Sequence, residues 1–266
     1  MGSEFPEFEH IKYERDGDIL FLIFNRPEKL NAVNRTLHNE LVPAITWAEH
    51  DPDSKVIVFT GAGRGFCAGG DVAGQASSPT GTNSPRGPYD VGTKGESMME
   101  VLLALEKPTI AMVNGPAVGL GASIALFADM AIAAEEAVIG DTHINVGLVP
   151  GDGGAVIWPL LIGPPRAKEM LMTGRLLSGI EAERLGLVNY AVPADKLRAR
   201  TLELATEIAR QPTYAVRATK FAINRHIKAA MNNTMDVALA LELISLASEE
   251  HREAAREFVR SRASRK

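Results

Sequence analysis

Pro108-Thr-Ile-Ala-Met-Val-Asn-Gly-Pro-Ala-Val-Gly-Leu-Gly-Ala-Ser-Ile-Ala-Leu-Phe127 is the stretch on which the fold class turns. Pro108 to Val113 is a short apolar run that reads as a buried strand, and Asn114-Gly115 turns it. Gly119 to Phe127 follows as a helix of small residues. Working outward, Met130 to Ala134 is the next strand. Upstream, Ile19 to Phe24 is a buried strand stopped by Asn25-Arg26-Pro27. Asn34 then caps a helix through about His50, with Leu37, Leu41, Ile45 and Ala48 on one face. Val56 to Thr60 is another strand, followed by a glycine-rich loop from Gly61 to Gly70. Met98 to Leu105 is helical. Strands alternating with helices predict a parallel α/β core.

After Gly151 the pattern turns helical, with segments near 153–162, 165–173 and 180–185. From Asp195 onward no strand is expected. Helices near 195–210, 213–228, 234–248 and 250–262 fit, with Pro212 as a break. The reading is a core over 1–194 and a helical region over 195–266 that packs on the core or on a neighbouring subunit. Residues 74–95 are rich in Gly, Ser, Pro and Thr and read as a mobile loop. No repeat of fixed period is visible.

The 266 residues are 45% hydrophobic and 23% charged, so the chain can bury a large core without staples. A net charge of −5 argues against a nucleic-acid binder. The single cysteine, Cys67, excludes a disulfide framework or a cysteine zinc site within one chain. No apolar run reaches the ~18 residues of a membrane span. Met1 to Phe5 is polar without an apolar signal core, so the cytoplasm is the expected compartment. The six histidines show no paired metal spacing, and no metal site is expected.

Several motifs fail on inspection. Gly61-Ala-Gly63-Arg-Gly65-Phe66 lacks the third glycine of a dinucleotide fingerprint, and no phosphate-binding P-loop occurs. Ser123 in Gly121-Ala-Ser-Ile-Ala125 fails the nucleophile elbow at its last position. Two glycine-rich turns remain, Gly65-Phe-Cys-Ala-Gly-Gly-Asp71 and Asn114-Gly-Pro-Ala-Val-Gly-Leu-Gly-Ala122, each after a strand. Glycines let backbone N–H groups approach a ligand, and a helix start leaves donors unpaired. Such a pair of turns can form an oxyanion hole; it can also be two tight turns required for packing.

Together with Asn25-Arg-Pro-Glu-Lys-Leu-Asn-Ala32, Lys107-Pro-Thr-Ile-Ala-Met-Val-Asn-Gly115, Val146-Gly-Leu-Val-Pro-Gly-Asp-Gly-Gly154, Met172-Thr-Gly174 and Ala182-Glu-Arg-Leu-Gly-Leu-Val188, these turns resemble the enoyl-CoA hydratase/isomerase (crotonase) superfamily. The resemblance implies a spiral of ββα units with a helical C-terminal oligomerisation region. It also implies assembly as trimers or dimers of trimers, and an acyl-CoA substrate with no other cofactor. By position it puts the two oxyanion amides on Gly70 and on Leu120, where the family usually has glycine. It puts CoA contacts near Arg26, Lys29, Ala32, Ala68, Asp71 and Val72. The family's C-terminal Phe-x-x-Lys, which reaches a neighbour's CoA, falls on Phe258. There Ser261 replaces the lysine, leaving Arg260 or Arg262 to substitute.

The departure concerns the chemistry. The superfamily's hydratases use two glutamates, and these positions carry Ser123 and His143. Imidazole titrates near neutrality and is the commonest general base, so His143 becomes the expected acid/base, with Asp152 as its carboxylate partner and Asp141 as a second candidate. Alternatively His143 is structural and Asp152 caps the helix at 153–162. Ser123 reads equally as a contact to substrate or water and as a small residue for close packing. Cys67 reads as a small buried filler, not a nucleophile. The expected activity is hydratase/isomerase-like, a lyase acting through a thioester enolate. One rival is a hydrolase of a β-dicarbonyl or thioester using His143 and Asp152, as in the 6-oxocamphor hydrolase branch. The other is a non-catalytic acyl-CoA-binding homologue.

Overall fold

The computed structural model describes residues 5–71 and 98–263. The loop expected at 74–95 and the candidate Val72 lie outside the described residues. β1 (Ile11–Asp16) and β2 (Ile19–Phe24) pair antiparallel, Asp16 opposite Ile19, around Gly17 at φ +57. From β2 the sheet continues in parallel through β3 (Val56–Gly61), β4 (Thr109–Val113), β6 (Met130–Ala134) and β9 (Tyr190–Val192), in the order β1-β2-β3-β4-β6-β9. Every residue of β3 and β4 is buried. Continuous apolar strands of this kind belong inside a parallel sheet covered on both faces.

A second, smaller layer explains the spiral. β5 (Ala117–Val118) pairs with β7 (Val138–Gly140), which pairs with β8 (Leu177–Ser178). Isolated bridges extend this layer backwards, Cys67 beside Ala117 and Val33 beside Gly70. Each turn of chain therefore gives one strand to the large sheet, then a short extended piece to the small layer, then a helix. The helices are α1 (Arg35–His50), α2 (Met98–Ala104), α3 (Leu120–Phe127) and α4 (Gly154–Ile162). This is the ββα spiral expected from the resemblance. The core between layers includes Phe21, Phe24, Phe59, Phe66 and Trp158, all fully buried. Each such side chain stabilises the fold by roughly 1.5–3 kcal/mol through burial.

The remaining helices are α5 (Pro164–Thr173), α6 (Gly179–Leu185), α7 (Leu197–Ala209), α8 (Thr213–Leu246) and α9 (Glu249–Ala263). α7 covers β2, β3, β4 and β6, while α8 packs on α4, and α9 packs on the 3-10 turn His143–Val146. The two helices expected over 213–228 and 234–248 are one helix of 34 residues. No Gly or Pro lies between Thr213 and Leu246 to break it, and the weaker propensity of Asn232 and Asn233, below ~1 kcal/mol per residue, is overridden by packing. The sequence reading also missed β1. Lys12, Glu14 and Arg15 mask its alternation, although its burial does alternate as an edge strand requires.

Candidate active site

The site begins as a brace between two loops. Asn31, fully buried, accepts from the Arg26 N–H at 2.8 Å and donates to the carbonyls of Gly65 at 2.7 Å and Ala62 at 3.0 Å. Asn114 does the same from the other side, donating to Gly61 at 2.9 Å and Gly63 at 3.0 Å. Cys67 N–H bonds the Pro116 carbonyl at 2.9 Å, and Val118 N–H bonds the Cys67 carbonyl at 3.0 Å. The two glycine-rich turns are thus one unit. Burial pushes the Cys67 thiol up to about 12, so it carries no thiolate at neutral pH and fits the filler role.

The bridge to Val33 decides where Gly70 points. Val33 N–H bonds the Gly69 carbonyl at 2.7 Å, and Asp71 N–H bonds the Val33 carbonyl at 3.0 Å. The intervening exposed Gly70 therefore turns its own N–H away from Val33. Leu120 is the first residue of α3, so its N–H has no acceptor within that helix. Neither N–H finds a hydrogen-bond partner among the described residues. Gly69, at φ +82, lies between them: a Cβ there would come within 2.6 Å of the Val118 carbonyl and 3.7 Å of the Leu120 nitrogen. The turns approach each other this closely because position 69 has no side chain.

His143 borders the same place. A Cβ on Gly119 would meet His143 Cε1 at 3.7 Å. Its Nδ1–H donates to Asp141 Oδ1 at 2.7 Å, and the same oxygen accepts the His143 backbone N–H at 3.1 Å. Nε2 faces Asp152 Oδ2 at 3.5 Å. Both candidate carboxylates meet the ring: Asp141, two positions back on the same turn, bonds Nδ1, and Asp152 stands as an ion-pair partner at Nε2. The alternative reading of Asp152 also has support, since its carboxylate accepts from the Gly154 N–H at the start of α4. Gly153, at φ 116, occupies the N-cap without any side-chain bond, and Asp152 Oδ1 accepts from Ser123 Oγ at 3.0 Å. Ser123 is fully buried, so its hydroxyl holds Asp152 rather than facing an open pocket.

The electrostatics follow. Burial lowers the His143 pKa, but Asp152, Asp141 and the Asp141 hydrogen bond outweigh it and raise it to about 9. Burial raises Asp152, with Asp141 adding to the rise and His143 opposing it. At neutral pH the imidazole is therefore protonated, an acid ready to donate. Asp141, His143 and Asp152 place one ligand atom each within 4.8 Å of one another. Such a set is compact enough for a divalent cation and was invisible to histidine spacing, because two members are aspartates. We read it as proton-sharing, since Nδ1 and Asp141 Oδ1 already satisfy each other.

A further carboxyl was not anticipated. Glu242, on α8, brings Oε1 to 3.9 Å from His143 Nε2 with its side chain 2% exposed. Burial pushes it up to about 8, with the Gly151 N–H pulling the other way. A signal was present. The buried positions of α8 run Asn224, Met231, Ala238, Glu242 at helical spacing, so an acid occupies the stripe that faces the core.

The rim residues divide. Arg26 turns inward, 8% exposed, bonding the Ala32 carbonyl and approaching Asp71 Oδ2 at 3.4 Å. Its charge is met by Asp71, so the basic patch expected from Arg26 and Lys29 rests on exposed Lys29. Ala68 uses its N–H on the Leu30 carbonyl at 3.0 Å. Phe258 is half-buried on α9, where its carbonyl accepts from Ser261 Oγ at 2.9 Å, and Arg260 is exposed beside Glu257. The Arg262 side chain lies outside the described residues.

A spiral of ββα turns whose first loops converge beside the start of a small-residue helix defines the crotonase architecture. The family model for enoyl-CoA hydratase/isomerase matches residues 14–265. A probable enoyl-CoA hydratase of Mycobacterium tuberculosis is 35% identical, over 96% of this chain and 97% of that protein. A 1,2-epoxyphenylacetyl-CoA isomerase of Escherichia coli is 36% identical over 84% of each. Among solved structures, an enoyl-CoA hydratase/isomerase from Mycobacterium paratuberculosis superposes with a TM-score of 0.83 at 34% identity, covering 93% of this chain and 98% of that one. The chain belongs to the enoyl-CoA hydratase/isomerase (crotonase) family.

Proposed function

We propose that this protein is an acyl-CoA-processing enzyme of the hydratase/isomerase type in which His143 carries the acid–base work. The thioester carbonyl oxygen is held by the N–H groups of Gly70 and Leu120, which stabilise the enolate as it forms. Losing one such donor costs about 10²–10³ in rate. The imidazolium of His143 gives its Nε2 proton to the enolate carbon, and the neutral ring takes a proton in the reverse direction. Asp141 fixes the ring and stabilises its cationic form. Lys29 offers positive charge to the CoA phosphates, and Ala32, Ala68, Asp71 and Phe258 line the cofactor path that family position implies. The apolar side chains that α8 exposes, among them Phe221, Ile223 and Ile244, support assembly with further copies of the chain. Lyase chemistry, a cytoplasmic setting and the absence of any cofactor besides substrate CoA belong to this same reading.

The carrying observation is the His143 ring, bonded to Asp141 and set against Gly119 at the head of α3. Turnover of crotonyl-CoA to 3-hydroxyacyl-CoA tests it. His143→Ala is expected to lower turnover by about 10²–10⁴, the usual worth of a general acid–base group; unchanged turnover sinks the assignment. The Nδ1–Asp141 bond also favours a second reading, a hydrolase in which the neutral ring activates water. Release of a free acid in place of the hydroxyacyl thioester would establish that reading instead.

A further inference from the structure

Three buried carboxyls surround one imidazole, and His143 alone cannot balance their charge. Asp141 Oδ2, Asp152 Oδ2 and Glu242 Oε2 are buried with no hydrogen-bond partner among the described residues. Leaving such oxygens unsatisfied costs about 1–3 kcal/mol each, more if ionised. Local backbone shape accommodates them. A Cβ on Gly151 would strike Glu242 Oε2 at 2.3 Å, and one on Gly154 would strike Asp141 Oδ2 at 2.4 Å. The glycines flanking Asp152 thus open space for a carboxyl on either side of the ring. Glu242 arrives from about a hundred residues downstream in sequence, on the buried stripe of α8.

We propose that Glu242 is a positioning residue of the acid–base centre, acting on the substrate through His143 Nε2. The inference rests on the reading of His143 given above. The charged groups about Glu242 are His143, whose Nε2 it shares with Asp152 Oδ2 at 3.5 Å, and Asp141, which holds the other ring nitrogen. α4, packed against α8, has no ionisable side chain between Gly154 and Ile162. On α9, which packs on α8, His251 commits Nδ1 to the Val146 carbonyl at 2.6 Å, and Glu249 pairs with Arg252 at 2.6 Å. Among the described residues, His143 is the cationic group that Glu242 approaches within 4 Å. In its neutral form it satisfies a buried position without adding a third negative charge beside a developing enolate. When it ionises it strengthens the hold on the His143 proton, and the ring becomes a poorer acid. Glu242 thus sets the upper end of the pH range in which His143 can donate.

The test is the His143 titration followed by ¹⁵N NMR, together with kcat and KM against pH, in Glu242→Gln and the wild type. Glutamine keeps the shape and cannot ionise. The expected result is a His143 pKa lower by about one unit, a displaced alkaline limb in kcat, and an unchanged KM for the CoA ester. A His143 titration and kcat profile identical to the wild type overturn the proposal. If the glutamine variant fails to fold, Glu242→Met removes the carboxyl at similar length and is read the same way. Stoichiometric divalent metal in the purified protein also overturns it, since a cation would then balance the carboxyls. The titration is read without turnover. An inactive role for His143 would remove the preceding reading while still showing whether Glu242 controls the ring.

Discussion

The sequence resemblance puts His143 where hydratases of the family carry a glutamate, and an imidazole there changes what the position does at neutral pH. A carboxylate there begins as a base. An imidazole raised to about 9 begins as an acid. Its hydrogen bond to Asp141 at 2.7 Å is the local cause most open to a single substitution. Asp141→Asn keeps an acceptor for Nδ1–H and removes one negative charge. The His143 pKa is then expected to fall by about one unit, equivalent to about 1.4 kcal/mol less preference for the charged ring. NMR titration of the ring reads this directly; an unmoved pKa would mean that Asp152 alone carries the shift. The backbone at Gly70 and Leu120 was legible in the sequence as glycine-rich turns. The bonded partner of His143 was not, because sequence spacing places Asp141 and Asp152 on the same loop without saying which carboxylate reaches which nitrogen.

Among the elements, α8 joins two faces with different tasks. Its inner stripe carries Lys220, Asn224, Met231, Ala238 and Glu242 into the body of the protein. Lys220 meets Asp129 at 2.8 Å and the Lys107 carbonyl at 2.8 Å, which anchors the helix near β4. Outside that stripe, Tyr214 is 85%, Phe221 69% and Ile244 67% exposed. An amphipathic helix that keeps large apolar side chains exposed fits burial against another chain. Phe221→Glu with Ile244→Glu is expected to shift the protein from an oligomer to the mass of one chain in light scattering, with the fold retained. Retention of the oligomer would place the contact elsewhere. The sequence reading split this helix into two, although no Gly or Pro interrupts it between Thr213 and Leu246.

Over the whole molecule, the buried acid–base cluster makes stability depend on pH. His143 has a folded pKa of about 9 against an ordinary 6.5. The stability it contributes is complete below 6.5 and is lost as pH rises through 9. Glu242, at about 8 against 4.5, favours its protonated form in the fold. It therefore also weakens the native state as pH climbs toward 8. Both groups have the same sign between pH 6.5 and 8, and the Tm is expected to fall across the interval from 6.5 to 9, by a few degrees per pH unit. Thermal melts in a buffer series check this; a Tm that is flat or rises over that interval contradicts the buried cluster.

The sequence by itself determined the strand–helix alternation, the two glycine-rich turns and the helical C-terminal region, and its resemblance to the family put Ser123 and His143 forward as the residues to examine. Each of these is written in local periodicity, turn chemistry or residue identity at one position. Only the tertiary structure decided that Asp141 holds Nδ1, that Ser123 serves Asp152, that Arg26 is neutralised by Asp71, and that Glu242 completes the cluster. Those outcomes depend on directions of side chains and on contacts between segments far apart in the chain. They are fixed by how the spiral packs, by α8 lying on α4, and by glycines at 151 and 154 that leave room for the carboxyls.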